Sequence, residues 1–327
     1  MLRVIVLGAA AGGGVPQWNC GCPVCRAARA DPDQLRADSL RADSLRADST
    51  RAMARTQASI AISVDDENWF LVNASPDLRQ QFNATPALHP KPGRLRHSPI
   101  AGVILTNGEV DAVAGLLSMR EGSPFTIYAH QRVLSILGAN SIFNVLGESI
   151  VQRQPIEIDV PFEPMLPDGS ASGLEIEPFA VAGKGAWYLE GRSHPGGGDG
   201  AGDTLGLRIT DKASGKYLLF VAACARVDDD LRRRLAGAPL VLFDGTVWRD
   251  DEMITAGLGH KTGQAMGHLS MSGDHGALAA LDDLDIANKL FLHVNNSNPA
   301  LLCGSAEHQA LEQAGWQIPA DGMEVTL

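Results

Sequence analysis

The chain has 327 residues, of which 45% are hydrophobic and 20% charged, a composition typical of a globular protein with a large core. Its formal net charge of -11 argues against a nucleic-acid partner, because phosphate binding needs a basic surface. No apolar run has the roughly 18 residues of a membrane span. Its few cysteines are clustered, which fits a reducing compartment. We therefore expect a soluble cytoplasmic protein.

The first strand and the loop that follows it organise the sequence. Residues 2–7 form an apolar run rich in β-branched side chains, which predicts a buried strand. Gly12, Gly13 and Gly14 then allow the backbone to turn sharply or to approach a bound group. A phosphate-binding P-loop would continue with Gly-Lys-Ser/Thr, whereas Val15 and Pro16 follow here. Pro16 also argues against the helix of a dinucleotide fingerprint.

Three cysteines, Cys20, Cys22 and Cys25, lie within six residues. Thiolates at this spacing, with Gly and Pro between them, can converge on one tetrahedral cation. They are too crowded for a set of disulfides, which require particular Cα separations. The alternative is that they are small buried hydrophobes. We interpret them as a metal site.

A tandem repeat follows the cysteines. Residues 35–49 are three copies of Leu-Arg-Ala-Asp-Ser. A period of five matches neither the helical nor the strand repeat, so its leucines cannot form one sustained stripe. Each copy is also electrically neutral. The repeat is therefore interpreted as a low-complexity surface insertion at about 35–50.

The rest of the chain alternates strands and helices. Apolar runs predict strands at 59–64, 69–72, 100–105, 205–210, 217–222, 240–243 and 290–294. Helical spacing predicts helices at 26–30, 112–120 and 227–235.

Polar side chains follow several of these strands. Asn107, Glu109 and Asp111 leave the strand at 100–105, at the position where α/β proteins usually place their chemistry. Solvated loop residues are the alternative. Asp77 follows the strand at 69–72, where it is either a helix cap or part of a site rim.

The last strand is followed by a run of amides. His293 lies at the end of the strand at 290–294. Asn295 and Asn298 follow it and provide donors and acceptors for a polar ligand or for a self-bonding turn. The glycine-rich loop at 193–203, which carries His194, is typical of a lid.

Several blocks of sequence resemble one known family. They are GAAAGGGVPQWNCGCPVC (8–25), NASPD (73–77), GLLSMREG (115–122), FDGT (243–246), MGH (266–268), HVNNSNP (293–299) and DGM (321–323). Together they resemble the PqqB family of pyrroloquinoline quinone (PQQ) biosynthesis proteins. The resemblance covers nearly the whole chain except the repeat.

The resemblance implies a metallo-β-lactamase-like αββα sandwich, with two mixed sheets and helices outside, as one domain over 1–327. It also implies that Cys20, Cys22 and Cys25 hold a structural zinc ion with His268 as the fourth ligand. A closed Cys₃His set leaves no open position, so this zinc is not expected to be catalytic.

The same resemblance locates an active site. Hydrolases of this fold carry His-x-His-x-Asp-His after a strand, and the matching positions here are Asn107, Glu109, Asp111 and Ala112. The PqqB family commonly keeps the final Asp-His pair, so Ala112 stands where a histidine is expected. The later bridging aspartate falls near residues 222–224, which contain no carboxylate.

The remaining candidate ligands are Glu109, Asp111 and His293, with His194, Asp203 and Cys224 as further candidates. Two carboxylates and one histidine can form a facial site for iron(II).

Two functions follow from the resemblance. The first is an iron-dependent, oxygen-using hydroxylase acting on the tyrosine ring of a Glu-Tyr-derived PQQ precursor. Glu109, Asp111 and His293 would hold the metal, and four residues would bind the substrate: Asp77, His194, Asn295 and Asn298. Arg79 and Lys261 would contact its acidic groups.

The second is a non-catalytic carrier that binds PQQ or its precursor on the way to the periplasm. Ala112 favours the carrier, whereas Asp111 and His293 favour catalysis. A phosphodiesterase needs two metals bridging a water, for which too few ligands are present. A homodimer would be the commonest oligomer.

Overall fold

The computed structural model describes residues 1–30, 51–191 and 200–327. The tandem repeat and His194 therefore lie outside the described residues.

Two mixed β-sheets make up the centre of the fold. The first contains seven strands in the order β13-β1-β2-β3-β4-β5-β6: β1 (Arg3–Gly8), β2 (Ser59–Ser63), β3 (Trp69–Val72), β4 (Ile100–Leu105), β5 (Phe125–His130), β6 (Val151–Ile156) and β13 (Glu324–Thr326). The second contains six in the order β12-β11-β10-β9-β8-β7: β7 (Leu174–Ala180), β8 (Leu205–Asp211), β9 (Tyr217–Val221), β10 (Val241–Asp244), β11 (Lys289–Leu292) and β12 (Trp316–Gln317).

In each sheet a parallel section continues an antiparallel one. Strands β3 to β6 are parallel, as are β9 to β12. The α-helices of the described residues are α1 (Pro23–Ala30), α2 (Leu78–Ala84), α3 (Val110–Val113), α4 (Gln131–Ala139), α5 (Asp229–Leu235), α6 (Glu252–Thr255), α7 (Gly263–Met266), α8 (Ala277–Ala280) and α9 (Ala306–Gln313). Short 3₁₀ helices lie at Pro86–Leu88, Ala114–Met119, Ser141–Val145, Trp187–Leu189 and Pro299–Leu301.

Side-chain alternation explains the layers. In β1, Val4 and Val6 point between the sheets, where they join a core that includes Phe220 of the second sheet. Ile5 and Leu7 point to the other face, under the helices of the first sheet. The outer face of the second sheet is covered in the same way by α5, α8 and α9. The predicted αββα sandwich is therefore confirmed.

The predicted helix at 112–120 was wrong in its extent. The α-helix spans Val110–Val113 and continues as a 3₁₀ helix over Ala114–Met119. Gly115 donates its N–H to the carbonyl of Ala74 at 2.9 Å. A Cβ on Gly115 would lie only 2.1 Å from the carbonyl oxygen of Ser75. This close backbone approach ties the segment to the loop after β3, so a regular α-helix does not continue there.

Among the described residues, no helix combines the length and the apolar character needed to cross a bilayer.

Candidate functional site

A cavity of about 480 Å³ opens where the carboxyl ends of strands from both sheets meet. Asn107, which follows β4, forms an antiparallel bridge with Thr204, which precedes β8. Ala10, in the loop after β1, forms a parallel bridge with Val294, which follows β11. The lining residues come from six loops: Ala11, Gly12, Gly13, Gln57, Asn107, Glu109, Val110, Asp111, Lys184, Trp187, Thr204, Ala223, Thr246, Met253, Lys261, Met266, Gly267, His268, His293 and Asn295. The cavity has the size and position of a small-molecule site.

The glycine loop after β1 forms one wall of this cavity. A Cβ on Gly12 would lie 3.5 Å from Oδ2 of Asp111. Gly13 has a φ of 95° and donates its N–H to the Gln57 side chain at 3.1 Å. The predicted close approach of this backbone to a site therefore agrees with the structure.

Asp111 and His293 form the centre of the site. His293 Nε2 lies 2.9 Å from Asp111 Oδ2, although the two residues are 182 positions apart. Burial alone would raise the pKa of Asp111, but its hydrogen bond to His293 holds the pKa below its usual value. Burial would likewise lower the pKa of His293, but Asp111 raises it. The two groups therefore favour a carboxylate–imidazolium pair.

Thr246 fixes the other side of the His293 ring. Its hydroxyl lies 2.8 Å from His293 Nδ1, 3.0 Å from His268 Nδ1 and 2.7 Å from Asp244 Oδ1. His293 adopts a φ of 56°, a left-handed conformation that is uncommon for histidine, and its carbonyl accepts from the same hydroxyl at 2.9 Å. This arrangement leaves Nε2 of His293 facing Asp111. A hydrogen bond to the second ring nitrogen, which fixes the ring, is typical of histidines that bind metals.

Asp244 orients His268. Its Oδ2 lies 2.7 Å from His268 Nδ1, and the carboxylate is fully buried. The His268 and His293 rings stack with centroids 5.0 Å apart. Asp244, His268 and His293 are close enough to hold a metal ion, but the Thr246 hydroxyl is within hydrogen-bonding distance of all three.

Glu109 lines the same cavity as the Asp111–His293 pair but has its own hydrogen-bond partner. Its Oε1 accepts from the backbone N–H of Trp187 at 2.9 Å. Burial raises the pKa of Glu109 to about 7, and the nearby charge of Asp111 adds to that effect. Glu109 is therefore poised to exchange a proton near neutral pH.

Cys20, Cys22 and Cys25 form a second cluster, with their sulfur atoms within 4.8 Å of one another. Backbone N–H groups point at each sulfur: Cys22 to Cys20 at 3.5 Å, Cys25 to Cys22 at 3.4 Å and Gln17 to Cys25 at 3.3 Å. Burial raises the pKa of the Cys22 thiol to about 11. Three adjacent thiolates need a cation, and the inward N–H groups fit a sulfur-ligated ion.

The structure places Asn296, and not His268, beside these cysteines. Asn296 Nδ2 lies 3.3 Å from Cys25 Sγ, and its carbonyl oxygen lies 3.3 Å from Cys22 Sγ. The prediction that His268 joins the cysteines was wrong, because Asp244 holds His268 at the cavity. Asn296 belongs to the predicted amide run, but nothing in its spacing distinguished it from its neighbours.

Two predicted substrate contacts lie outside the cavity. Asn298 is fully buried, caps the 3₁₀ helix at Pro299–Leu301 and donates to the Gly245 carbonyl at 3.1 Å. Asp77 Oδ2 accepts from both the backbone and the side chain of Gln57, at 2.9 and 3.0 Å. Asp77 stands at the N-cap of α2 without making a capping bond. Neither residue lines the cavity, whereas Asn295 does, and its contact with a ligand stays a prediction.

The further ligand candidates are also engaged elsewhere. Asp203 pairs with Arg132 at 2.7 Å, and Cys224 is fully buried with its thiol donating to the Arg226 carbonyl at 3.2 Å. Burial raises the pKa of Cys224 to about 12. Arg79 is exposed on α2 and does not line the cavity, whereas Lys261 does. Sequence reasoning missed Asp244, Thr246, Lys184 and Trp187.

Ala112 follows Asp111 but faces a different environment. It is 2% exposed and packs with Ala74 and Val113 in the core beneath the first sheet. A histidine at this position would have to displace core contacts before reaching the cavity.

Comparisons with known proteins identify the family. A family model, the Beta-lactamase superfamily domain, matches residues 68–294. The chain is 72% identical to Coenzyme PQQ synthesis protein B of Rhodopseudomonas palustris and 68% identical to that of Bradyrhizobium diazoefficiens, each over 327 residues and the full length of both chains.

Solved structures agree. The Zn²⁺-bound PqqB from Methylobacterium extorquens has a TM-score of 0.86 and 45% identity, covering 99% of this chain and 100% of the other. A diphosphatase from the PhnP family, at 17% identity and a TM-score of 0.62, covering 100% of this chain and 98% of its own, shares the fold. The chain belongs to the family of coenzyme PQQ synthesis protein B, within the β-lactamase superfamily.

Proposed function

We propose that this chain acts in PQQ biosynthesis as a metal-dependent, oxygen-using hydroxylase of the tyrosine ring in a Glu-Tyr-derived precursor. The observation that carries the proposal is the Asp111–His293 pair, 2.9 Å apart on the wall of a cavity of about 480 Å³. A carboxylate and an imidazole oriented through Thr246 form part of the donor set that non-haem iron(II) prefers.

Asp111 and His293 would hold the iron ion, and Glu109 would complete a facial set after turning from Trp187. Bound iron(II) would supply the redox chemistry with dioxygen that ring hydroxylation requires. His268, held by Asp244 through Nδ1, would present Nε2 to the same cavity and orient the ring.

The cysteine cluster has a separate role in this proposal. Cys20, Cys22 and Cys25 would hold a structural zinc ion, with Asn296 beside them. That site would link the segment at 20–25 to the segment after β11. Cys25 and Asn296 are 271 residues apart in the chain. The relative from Methylobacterium extorquens was solved with Zn²⁺ bound.

A carrier of PQQ or its precursor is the second candidate, and Ala112 favours it. The expected histidine is replaced by a side chain that packs into the core. Two ligands and one reoriented glutamate bind a metal more weakly than three preformed ligands, whereas the cavity that would bind the organic molecule is intact.

Metal counting distinguishes the two. Metal content per chain, with the elements identified, is measured after iron(II) loading for the original protein, Asp111→Asn and Cys25→Ser. The hydroxylase predicts zinc plus iron in the original, loss of iron alone in Asp111→Asn, and loss of zinc alone in Cys25→Ser. Turnover of the precursor must follow the iron. Zinc alone in the original protein, with tight PQQ binding and no turnover, would leave the carrier.

A further inference from the structure

Two lysines of the cavity wall share one carboxylate. Lys184 Nζ lies 3.0 Å from Glu190 Oε1, and Lys261 Nζ lies 2.9 and 2.7 Å from its two oxygens. Both lysines line the cavity, whereas Glu190 reaches them from the end of the 3₁₀ helix at Trp187–Leu189. The arrangement converges two ammonium groups on a single carboxylate position at the cavity mouth.

Two ammonium groups are concentrated at this position. Lys184 and Lys261 share the carboxylate of Glu190, and Glu109 lies on the same cavity wall. In a chain whose formal net charge is -11, a pair of lysines beside a cavity is a local feature that favours an anionic ligand.

The lysines are also held close to the candidate metal centre. The stem of Lys184 packs against Gly267, whose missing Cβ would lie 3.0 Å from Lys184 Cγ. Gly267 has a φ of 90° and precedes His268, so a side chain there would be strained as well as crowded. Lys261 lies immediately before Thr262, which caps α7.

An aromatic surface lies next to these charges. Trp187 lines the cavity with 60% of its surface exposed, and its backbone N–H binds Glu109. Its ring meets that of Tyr188 edge to face, with centroids 6.3 Å apart, and most of the Trp187 surface stays exposed. Together with the lysines it forms a surface for a flat ring that carries a carboxylate.

We propose that Lys184 and Lys261 form a carboxylate-binding subsite for an aromatic polycarboxylate, and that Glu190 occupies this subsite until the ligand displaces it. This rests on the proposed function, whose substrate class it specifies. The exchange conserves the ion pairs, because the ligand carboxylate replaces that of Glu190. Moving Glu190 away from the lysines costs little free energy, because half-exposed ion pairs contribute little to stability.

The alternative is that Glu190 simply ties two loops together. The two explanations predict opposite effects of Glu190→Gln. Removing a competing carboxylate strengthens binding of an anionic ligand, whereas removing a structural tie weakens binding of charged and uncharged ligands alike.

The test measures dissociation constants by calorimetry for three probes: PQQ, its uncharged trimethyl ester, and benzene-1,3,5-tricarboxylate. Lys184→Met and Lys261→Met should each weaken PQQ binding about fivefold to tenfold, a modest value because the lysines are partly exposed. Glu190→Gln should strengthen it about threefold. The ester should change less than about twofold in every variant. Lys212→Met, which removes a similar lysine paired with Glu163 away from the cavity, is the matched control.

The outcomes test the lysine subsite and the proposed function separately. Unchanged PQQ affinity in both lysine variants, or equal weakening of PQQ and ester in Glu190→Gln, overturns the subsite and leaves the proposed function standing. Lysine-dependent binding of the benzene tricarboxylate without PQQ binding supports the subsite and overturns the proposed ligand. No binding of either acid to the original protein overturns the subsite, whereas the proposed function is overturned separately, by absence of iron and of precursor turnover.

Discussion

Among the described residues, the two clusters that could hold a metal are built in opposite ways. The cysteine cluster comes from six consecutive residues and is completed by one distant residue, Asn296. The cavity cluster takes Asp111, Asp244, His268 and His293 from four separate segments, each placed by the end of a strand or by the loop after it. The first is defined by local chain geometry, and the second exists only when both sheets are assembled.

This difference has a physical consequence. The sulfur atoms are fixed by backbone N–H groups within the same turn and α1, so they form a preorganised donor set suited to a structural ion. The imidazoles are held by side chains on one face and point at a cavity on the other. That open geometry suits binding and chemistry.

The largest effect is expected from Cys25→Ser. Cys25 is fully buried, and structural zinc contributes roughly 10–16 kcal/mol of binding free energy in small zinc-dependent domains. Because this chain also has a large hydrophobic core, we expect Cys25→Ser to lose only part of that free energy. The Tm should fall by about 10 °C or more, and one zinc ion should be lost. Calorimetry and elemental analysis measure both quantities.

Cys303→Ser is the matched control, because Cys303 lies outside both clusters. It should keep the zinc and most of the Tm. If Cys25→Ser retained zinc and Tm, the cysteines would be ordinary buried side chains and the contrast between the two clusters would disappear.

Asp111→Asn should have the next largest effect. It leaves His293 without its carboxylate partner in a site where both side chains are less than one-fifth exposed. Breaking a buried pair costs about 3–5 kcal/mol, and partial exposure with an amide replacement reduces this to about 2 kcal/mol. Urea unfolding at pH 6 measures it, with the exposed Asp282→Asn as the control. A variant as stable as the original would show that the pair is solvated rather than buried.

The pH dependence of the same pair has a defined sign. The Asp111 contribution is present above the unfolded pKa of 3.8 and is lost as the pH falls through the lowered folded pKa. The His293 contribution is present below the unfolded pKa of 6.5 and is lost as the pH rises through the raised folded pKa.

In protein without iron, the difference in unfolding free energy between the original and Asp111→Asn should therefore be largest between about pH 4.5 and 6. It should shrink towards pH 9. Urea unfolding across this range measures it. A difference that grew with increasing pH would show that His293 is neutral in the folded state.

The sequence predicted the strands well because their signal is local. Runs such as 100–105 are apolar on both faces, and β4 spans Ile100–Leu105 as predicted. The helix after Asp111 was less predictable, because Gly115 docks on the backbone of a loop about 40 residues earlier. No local pattern contains that contact.

The same distinction applies to the candidate sites. The spacing of Cys20, Cys22 and Cys25 predicted their convergence, since a short turn brings them together. The partner of His268 could not be read from spacing, because Asp244 reaches it only after β10 and the loop beyond α7 have been placed. The resemblance assigned His268 to the cysteines, whereas the structure places it with Asp244 and His293.

Two asparagines of the same turn test this reasoning with the smallest effects. Asn298 accepts from the Ala300 N–H at 3.0 Å and is fully buried, whereas Asn295 lines the cavity and donates to Ser297 at 2.7 Å. Asn298→Ala removes a cap and should cost about 1–2 kcal/mol without changing PQQ affinity. Asn295→Ala should change stability by less than about 0.5 kcal/mol and weaken PQQ binding.

Urea unfolding and PQQ titration of both variants provide the comparison. If Asn298→Ala weakened PQQ binding as much as Asn295→Ala did, the turn would act as one unit, and burial would not separate support from contact. The separation is expected because the two side-chain amides donate to different partners: the Gly245 carbonyl for Asn298 and the Ser297 hydroxyl for Asn295. Only Asn295 can transfer such a bond to a ligand without leaving a buried carbonyl unpaired.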